Sequence, residues 1–546
     1  MNNDFVLGID FGTSTTLVAT PGEPPVVIPI GISFPWIASV ISSVDGSNWI
    51  TGEESEVADV RDQIRSPKTS ITFNNYGQLV TDRGIEISAD EAIKIILLTV
   101  KDKCRENGLS TLGHIRMSCP AIWTGENRKR LSKLANEVGF NVDVDHIMDE
   151  PIAAAVSWLW NKSIKEQNIE DYCKAMIFDL GGGTLDVALV DVNSANIKPE
   201  ITVMSARGTR EAGDELDDLL SKFIENELSS KFDFKVADKE NAGELRAWIR
   251  REARSVKERL SVSTETTFDI EDLSDGIPKI KLTRQQLEFV FEPQLIRLLA
   301  CTEDSLREAK MKLANADINA IMREDITVIG GEVDYIILAG GMSQIPIIAK
   351  ALQKIMPNAK IEFAISKEKA TSAIVEGVAN QVEFANLNVH RPSFDFVMIW
   401  MSNDGKEHEQ LIFPAFTTLY DSYEIKIGKG DLGRREYFLP FTDPVGICRL
   451  VVRSVGGKNV ALQIDGSESE FIELNANRHT GISLKLYIDG RLYITDSLGF
   501  EIKTRIREWP MVRWGTTGTK NPLLILDNVF KDSGGIPMQH WDLNLD

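Results

Sequence analysis

"VLGIDFGTSTTLVAT", residues 6–20, sets an apolar run, Asp10 and a glycine beside a string of hydroxyl residues, then returns at once to apolar chain. A strand that breaks and resumes in this way reads as a hairpin, because Gly and small polar residues are what tight turns use. The same turn has a second reading. Backbone N–H groups and hydroxyls of Gly12, Thr13 and Ser14 would grip an anion while Asp10 looks after a cation. One short glycine motif does not choose between these readings.

An echo further along does. "MIFDLGGGTLDVALV", residues 176–190, repeats the pattern of strand, Asp, glycine–hydroxyl turn and strand. Asp179 matches Asp10, and Gly183-Thr184 matches Gly12-Thr13. Two such hairpins predict duplicated α/β halves that face each other and hold a phosphate from both sides. A third piece, "DYIILAGGMSQIPIIAKAL" (residues 334–352), runs a buried strand into Gly340-Gly341 and opens a helix across Ser343 to Pro346. Glycines at a strand-to-helix turn admit a close neighbour, and a helix N-terminus favours anions. Each motif is weak alone, but three in this order, each a strand running into glycine, point to a phosphate grip rather than to coincidence.

The rest of the chain fits a water-facing protein of several parts. At 546 residues it exceeds one ordinary core. With 43% hydrophobic and 26% charged residues it reads as globular, and no apolar run approaches the roughly 18 residues that span a bilayer. The opening "MNNDFVLGID" lacks a basic segment and a cleavage site, so no signal peptide and no membrane partner are expected. Cys104, Cys119, Cys173, Cys301 and Cys448 are scattered singly, as a reduced cytoplasmic protein allows. A net charge of −21 argues against a nucleic-acid partner. The one basic concentration, "RAWIRREARSVKERL" (residues 246–260), is interrupted by Glu252 and Glu258 and reads as an exposed helix of mixed charge.

Strands alternate with amphipathic stretches through about residue 385, the pattern of an α/β architecture with mixed sheets. "TGENRKRLSKLANEVG" carries a plausible Thr N-cap. From about residue 400 short strand-like pieces follow one another with turn signals, the texture of an all-β sandwich. Within it, "GISLKLYIDGRLYITD" reads as a hairpin turning at Asp489-Gly490. The expected organisation is 1–385 as a nucleotide-binding unit, 386–400 as a linker ("NVHRPSFDFVMIW" being linker or first strand), 401–500 as a β-sandwich and 501–546 as an extension. Trp509, Trp514 and Trp541 in that extension read as core plugs more readily than as a recognition patch.

The three glycine segments resemble the two phosphate motifs and the adenosine motif of the actin-like ATPase superfamily. "MDEPIAAAVSW", "SCPAIWTGENRKRL" and "IRREARSVKERLSVST" narrow the resemblance to the heat-shock-70 (DnaK-type) chaperone family, of which this chain looks like a divergent member. The resemblance covers about residues 4 to 385. Beyond 400 it is a match of texture to a client-binding β-domain. It implies two lobes that close on ATP or ADP with Mg²⁺. Asp10 and Asp179 would hold the hydrated metal. Gly12, Thr13 and Ser14 from one side and Gly181, Gly182, Gly183 and Thr184 from the other would hold phosphates. Lys68, in "IRSPKTS", falls where the family carries a catalytic lysine, and Glu150, Asp186 and Thr184 would order metal waters and the attacking water. Gly213, Arg254, Lys257, Ser261, Gly340 and Gly341 complete the implied nucleotide contacts. Pro120 and Arg128 match residues that relay nucleotide state to the client domain, although a turn proline and a surface arginine explain them as well.

Two departures stand out. The arginine pair that sandwiches adenine in the family aligns with Glu258 and Gln344 here, and Arg254 replaces an acid, so Arg254 or Arg259 would have to supply the stacking cation. The chain after residue 500 lacks the pattern of a helical lid and the family's Glu-Glu-Val-Asp ending. The expected function is a slowly hydrolysing chaperone-like ATPase whose partners are a protein or peptide client and cochaperones. The alternative is an actin-like nucleotide-dependent structural or regulatory protein. A small-molecule kinase lacks a recognisable substrate segment, and retention of Asp10, Lys68, Glu150, Asp179 and Thr184 argues against a pure nucleotide sensor.

Overall fold

A computed structural model describes residues 5–164, 172–194, 199–270, 277–311, 318–380, 385–388, 391–402, 404–418, 434–439, 446–464, 467–477, 479–487 and 491–506. The opening stretch is a hairpin: Phe5–Phe11 pairs antiparallel with Thr15–Thr20, Phe11 lying opposite Thr16. Its strands are almost continuously apolar because both faces are covered, and Leu7, Ile9, Phe11 and Val18 are fully enclosed. Val26–Ile28 extends the sheet antiparallel on one side. His114–Cys119 and then Met148–Asp149 extend it parallel on the other.

The second sheet repeats that plan strand for strand. Tyr172–Leu180 and Leu185–Asn193 form the hairpin, with Asp179 opposite Asp186. Glu200–Thr209 adds antiparallel on one side, and Tyr335–Ala339 and Lys360–Phe363 add parallel on the other. Ala385–Asn388 closes the far edge. Order and direction agree in both sheets, so the duplication expected from the sequence is present in the topology. Between the lobes, helix Glu150–Ile164 packs against helix Ala373–Val378. Ala153, Ala154 and Ala155 are fully buried there, and a Cβ on Gly377 would come within 2.0 Å of the Ala153 carbonyl oxygen. Only glycine permits that approach, which draws the two lobes together at the floor of the cleft.

Helices coat the outer faces. Ala89–Glu106 and Gly125–Glu137 cover the first lobe, the latter starting where Asn127 Oδ1 accepts from the backbone N and Oγ1 of Thr124 at 2.9 and 2.8 Å. Gly213–Phe232, Ala242–Val262 and Arg284–Met311 cover the second. The basic stretch lies on Ala242–Val262, with Leu245, Ile249, Ala253, Val256 and Leu260 buried at helical spacing. Among the described residues no helix is long and apolar enough to cross a membrane.

The remaining chain forms two antiparallel sheets. Glu407–Phe413, Phe394–Met401, Gly446–Ser454 and Phe471–Ala476 make one. Arg434–Leu439, Ile482–Tyr487, Arg491–Thr495, Glu501–Ile506, Leu462–Ile464 and Ser467–Ser469 make the other. Phe396, Met398, Leu450, Leu474, Leu484, Leu492 and Ile494 are all buried, the alternation expected where two sheets share one core. Of the two readings of "NVHRPSFDFVMIW", linker or first strand, Phe394–Met401 is a strand, because Phe394, Phe396 and Met398 alternate into the core and hold the stretch in the sheet. Ile482–Tyr487 and Arg491–Thr495 pair as a hairpin. The Asp489-Gly490 turn itself, like Trp509, Trp514 and Trp541, lies outside the described residues.

Candidate functional site

The two hairpin turns meet. A Cβ added to Gly183 would stand 2.1 Å from Thr13 Cγ2, and one on Gly182 would stand 2.3 Å from Ser14 Oγ. These glycines are what lets the turns of opposite lobes come into contact. Behind them Gly213 N donates to Gly181 O at 3.2 Å, and Asp214 accepts from Ser14 Oγ at 2.7 Å and from Ser66 Oγ at 3.0 Å. Burial works against the charge of Asp214, but Arg250, Ser14 and Arg65 outweigh it and hold its pKa below the usual carboxylate value.

The turns bound a cleft of about 330 Å³, within the range of small-molecule sites. Asp10, Gly12, Thr13, Ser14, Lys68, Glu150, Asp179, Gly181, Gly182, Gly183, Thr184, Arg254, Lys257, Ser261, Gly340 and Gly341 all line it. Asp186 and Gly213, also expected as contacts, stand one layer back. Asp186 is buried beneath the floor opposite Asp179 and hydrogen-bonded by the Thr184 side chain. Gly213 supports the Gly181-Gly182 turn from behind.

At the closed end four carboxylates, of Asp10, Glu150, Asp179 and Asp186, surround one ammonium. Lys68 Nζ donates to Glu150 Oε1 at 2.9 Å, and both side chains are buried. Burial opposes the charged lysine, but Glu150 and Asp10 raise its pKa above the ordinary value. The acids are left in deficit. Burial first and Glu150 second push Asp10 up to about 6, although Lys68 and the Ser118 hydroxyl at 2.7 Å work the other way. The same two causes push Asp186 up to about 8 and Asp179 well above the carboxylate range. Asp186 Oδ1 is buried without a hydrogen-bond partner among the described residues.

Mg²⁺ fits this donor set. Among the described residues no three acidic, thiol or imidazole groups form a direct ligating cluster. A hydrated magnesium ion, which keeps several waters and takes one or two carboxylates, suits hard oxygen donors in charge deficit with an unsatisfied carboxylate oxygen.

The open end carries Arg254, Lys257, Glu258, Ser261, Gln344 and Glu368. Lys257 Nζ is held by Asp217 Oδ1 at 2.6 Å. Of the two arginines offered as stacking cations, Arg259 does not line the cleft. It donates instead to Glu252 on its own helix and to Thr266 Oγ1 of strand Glu265–Phe268, at 2.6 and 2.8 Å. Arg254 faces the cleft, paired with Glu56 at 3.3 Å and Glu258 at 3.5 Å. Sequence reasoning missed Ser118, Asp214, Asp217, Trp36 and Glu368. An acid at a helix start, as Asp214 is, was the one available signal.

On the far side of Glu150 lies a second cluster. Arg128 is buried, pairs with Asp149, and stands 3.6 Å from the ring centroid of Phe416 in the β-domain. Its pKa stays above the ordinary value, since Asp149 outweighs the burial cost. Gly125 N donates to Ala415 O at 2.9 Å, and Lys129 Nζ to Asp395 Oδ2 at 2.9 Å.

Comparison with known proteins agrees with this geometry. The family model described as Hsp70 protein matches residues 42–384. Chaperone protein DnaK of Mycoplasmoides gallisepticum is 25% identical over 390 residues, covering 69% of this chain and 60% of that protein. Its namesake in Elusimicrobium minutum is 27% identical over 392 residues (68% and 57%), and that of Thermoplasma volcanium 26% over 403 (70% and 59%). The chain thus spans less than two thirds of the length of these relatives. With the family model matched across both lobes and the duplicated actin-like ATPase fold followed by an all-β region, the chain belongs to the Hsp70 family.

Proposed function

We propose that this protein is an ATP-binding, slowly ATP-hydrolysing chaperone in which the nucleotide in the cleft governs how the β-domain holds a protein or peptide client. The observation that carries the reading is one peptide bond. Glu150 pairs with Lys68 at the closed end of the cleft, and its neighbour Asp149 pairs with Arg128, which lies against Phe416 of the β-domain. A shift of the strand Met148–Asp149 as the cleft closes is felt at both places.

In this reading Gly12, Thr13 and Ser14 and the turn Gly181–Thr184 hold the β- and γ-phosphates of ATP or ADP, Asp10 and Asp179 hold the waters of Mg²⁺, and Lys257 and Ser261 meet the nucleoside. Bound magnesium supplies charge neutralisation for the transferring phosphoryl group. Lys68 places a fixed positive charge beside the γ-phosphate, the kind of preorganised electrostatics on which phosphoryl transfer depends. Glu150 and Thr184, the latter held by Asp186 from behind, orient the attacking water. Its oxygen bonds to the γ-phosphorus as the bond to the β–γ bridging oxygen breaks, ADP leaving with that oxygen and the water's proton passing to the phosphate released. Cytoplasmic residence is supported by cysteines scattered singly along the sequence, with no paired spacing. The named relatives, each a chaperone protein, support chaperone work, and protein or peptide clients and cochaperones are the partners that this reading calls for.

The test is the ATP hydrolysis rate of the full chain with and without an unfolded polypeptide. Polypeptide should raise the rate, and Lys68→Ala should lower the basal rate about a hundredfold, the scale seen when one preorganised charge-stabilising donor is removed. A rate equal in wild type and Lys68→Ala would overturn the enzyme assignment. A rate indifferent to every polypeptide would overturn the coupled chaperone cycle.

A further inference from the structure

Trp36 lines the cleft together with Thr15, Leu17, Arg254 and Glu258, and no other tryptophan among the described residues does so. It follows Pro35 in the segment "GISFPWIAS" and immediately precedes the short strand Ile37–Ala38, which pairs with Thr15 and Thr16 of the first phosphate turn. The indole is therefore tied by main-chain register to the turn that holds phosphate. Its ring is also fixed from behind. Phe34 stacks on it with centroids 4.5 Å apart and planes 12° apart. Upstream, Glu53 anchors the loop by accepting from Ile32 N, Ser33 N and Ser33 Oγ at 3.1, 2.6 and 2.7 Å. On the cleft side the Arg254 guanidinium carbon lies 5.7 Å from the indole centroid.

This arrangement is more than core packing requires. Trp36 is only partly buried, and Phe34 behind it is exposed, so the stacked pair stands at the rim of the cleft with part of the indole open to it beside Arg254. The open end otherwise offers carboxylates, an amide, the Ser261 hydroxyl, a Lys257 paired with Asp217 and an Arg254 already shared between Glu56 and Glu258. None of these presents a free flat cation to a purine. A rigid indole beside them supplies the missing apolar face at little entropic cost.

We infer that Trp36 is a nucleoside-binding residue, packing against the sugar and base of the bound nucleotide in place of a stacking arginine. The inference rests on the proposed nucleotide function of the same cleft. It also implies a base site that is apolar on one face and accepts hydrogen bonds on its edges, through Glu258, Gln344 and Glu368.

The test compares the full-length wild type with Trp36→Ala and Trp36→Phe. Titration calorimetry with Mg-ATP should show about tenfold weaker binding for Trp36→Ala, the lower part of the range for loss of one stacked aromatic. Trp36→Phe should stay within about threefold of wild type, since it keeps a ring. Mg-ATP should change the wild-type tryptophan emission, and that change should be lost in Trp36→Phe although the nucleotide still binds. The fluorescence arm stands even if Trp36→Ala fails to fold. Unchanged affinity in a folded Trp36→Ala, or a full emission change in Trp36→Phe, overturns the assignment and leaves the nucleotide site intact. Absence of Mg-ATP binding by the wild type overturns the site and the assignment together.

Discussion

Asp186 pairs in register with Asp179, beneath the cleft and away from solvent, and its carboxyl is pushed up to about 8 by burial and then by Glu150. An acid whose folded pKa lies above its unfolded value binds more protons folded than unfolded between the two. Stability therefore falls as pH rises through that window. The window runs from 3.8 to about 8 for Asp186 and from 3.8 to about 6 for Asp10. Each group removes at most about 1.4 kcal/mol per pH unit while it titrates. The melting temperature of the metal-free full chain should accordingly drop between pH 6 and pH 8, and added Mg²⁺ should restore more of it at pH 8 than at pH 6. Asp186→Asn should flatten the drop, because a neutral amide has no charge to desolvate. A melting temperature level across that range without metal, or the same slope in Asp186→Asn, would show that the cluster is not in charge deficit.

The strand Met148–Asp149 runs directly into helix Glu150–Ile164, so one element carries both the partner of Lys68 and the partner of Arg128. The receiving element in the β-domain is the loop after strand Glu407–Phe413. Phe416 adopts φ 58 there, a left-handed conformation unfavourable for a phenylalanine. It is held by Phe416 N donating to Pro392 O at 2.7 Å and Arg391 Nη1 donating to Phe416 O at 3.0 Å. Strain kept at a contact between domains costs on the order of 1 kcal/mol and persists where surroundings enforce it. Phe416→Ala should leave basal ATP hydrolysis within about twofold and abolish its stimulation by polypeptide, since the desolvated cation–π contact is lost while the cleft is untouched. Stimulation that survives in Phe416→Ala would move the coupling elsewhere. These elements also mark how much could be read in advance. The three glycine turns were legible because strand, acid, glycine and hydroxyl are neighbours in sequence and their order is the motif. Trp36, Asp214 and Phe416 were not, because each acquires its meaning from a residue on another lobe or domain: Arg254, Ser14 and Arg128. The choice between linker and first strand for "NVHRPSFDFVMIW" stayed open for a related reason: its single acid, Asp395, anchors Lys129 of the first lobe from inside a strand.

At the scale of the whole molecule, several of the described contacts between the β-domain and the first lobe are polar. Asp145 accepts from Gly456 N at 2.8 Å and Ser454 Oγ at 3.1 Å, and lies 3.6 Å from the Nζ of Lys458. Lys129 reaches Asp395, and Arg128 meets Phe416. Exposed ion pairs such as Lys458–Asp145 are worth about 1 kcal/mol or less, so this polar set adds little beside the desolvated contact of Arg128 with Phe416. An interface of that kind is suited to opening and closing, because a modest difference between nucleotide states is enough to shift it. Asp145→Lys tests this without entering the cleft. It removes three attractive contacts and sets a second ammonium against Lys458. In solution scattering the full chain should show a larger radius of gyration than wild type, basal hydrolysis should persist, and polypeptide should no longer stimulate it. A radius and a stimulation both equal to wild type would mean that the seat at Asp145 carries no coupling, and the link between cleft and β-domain would then have to run through Arg128 and Phe416 alone.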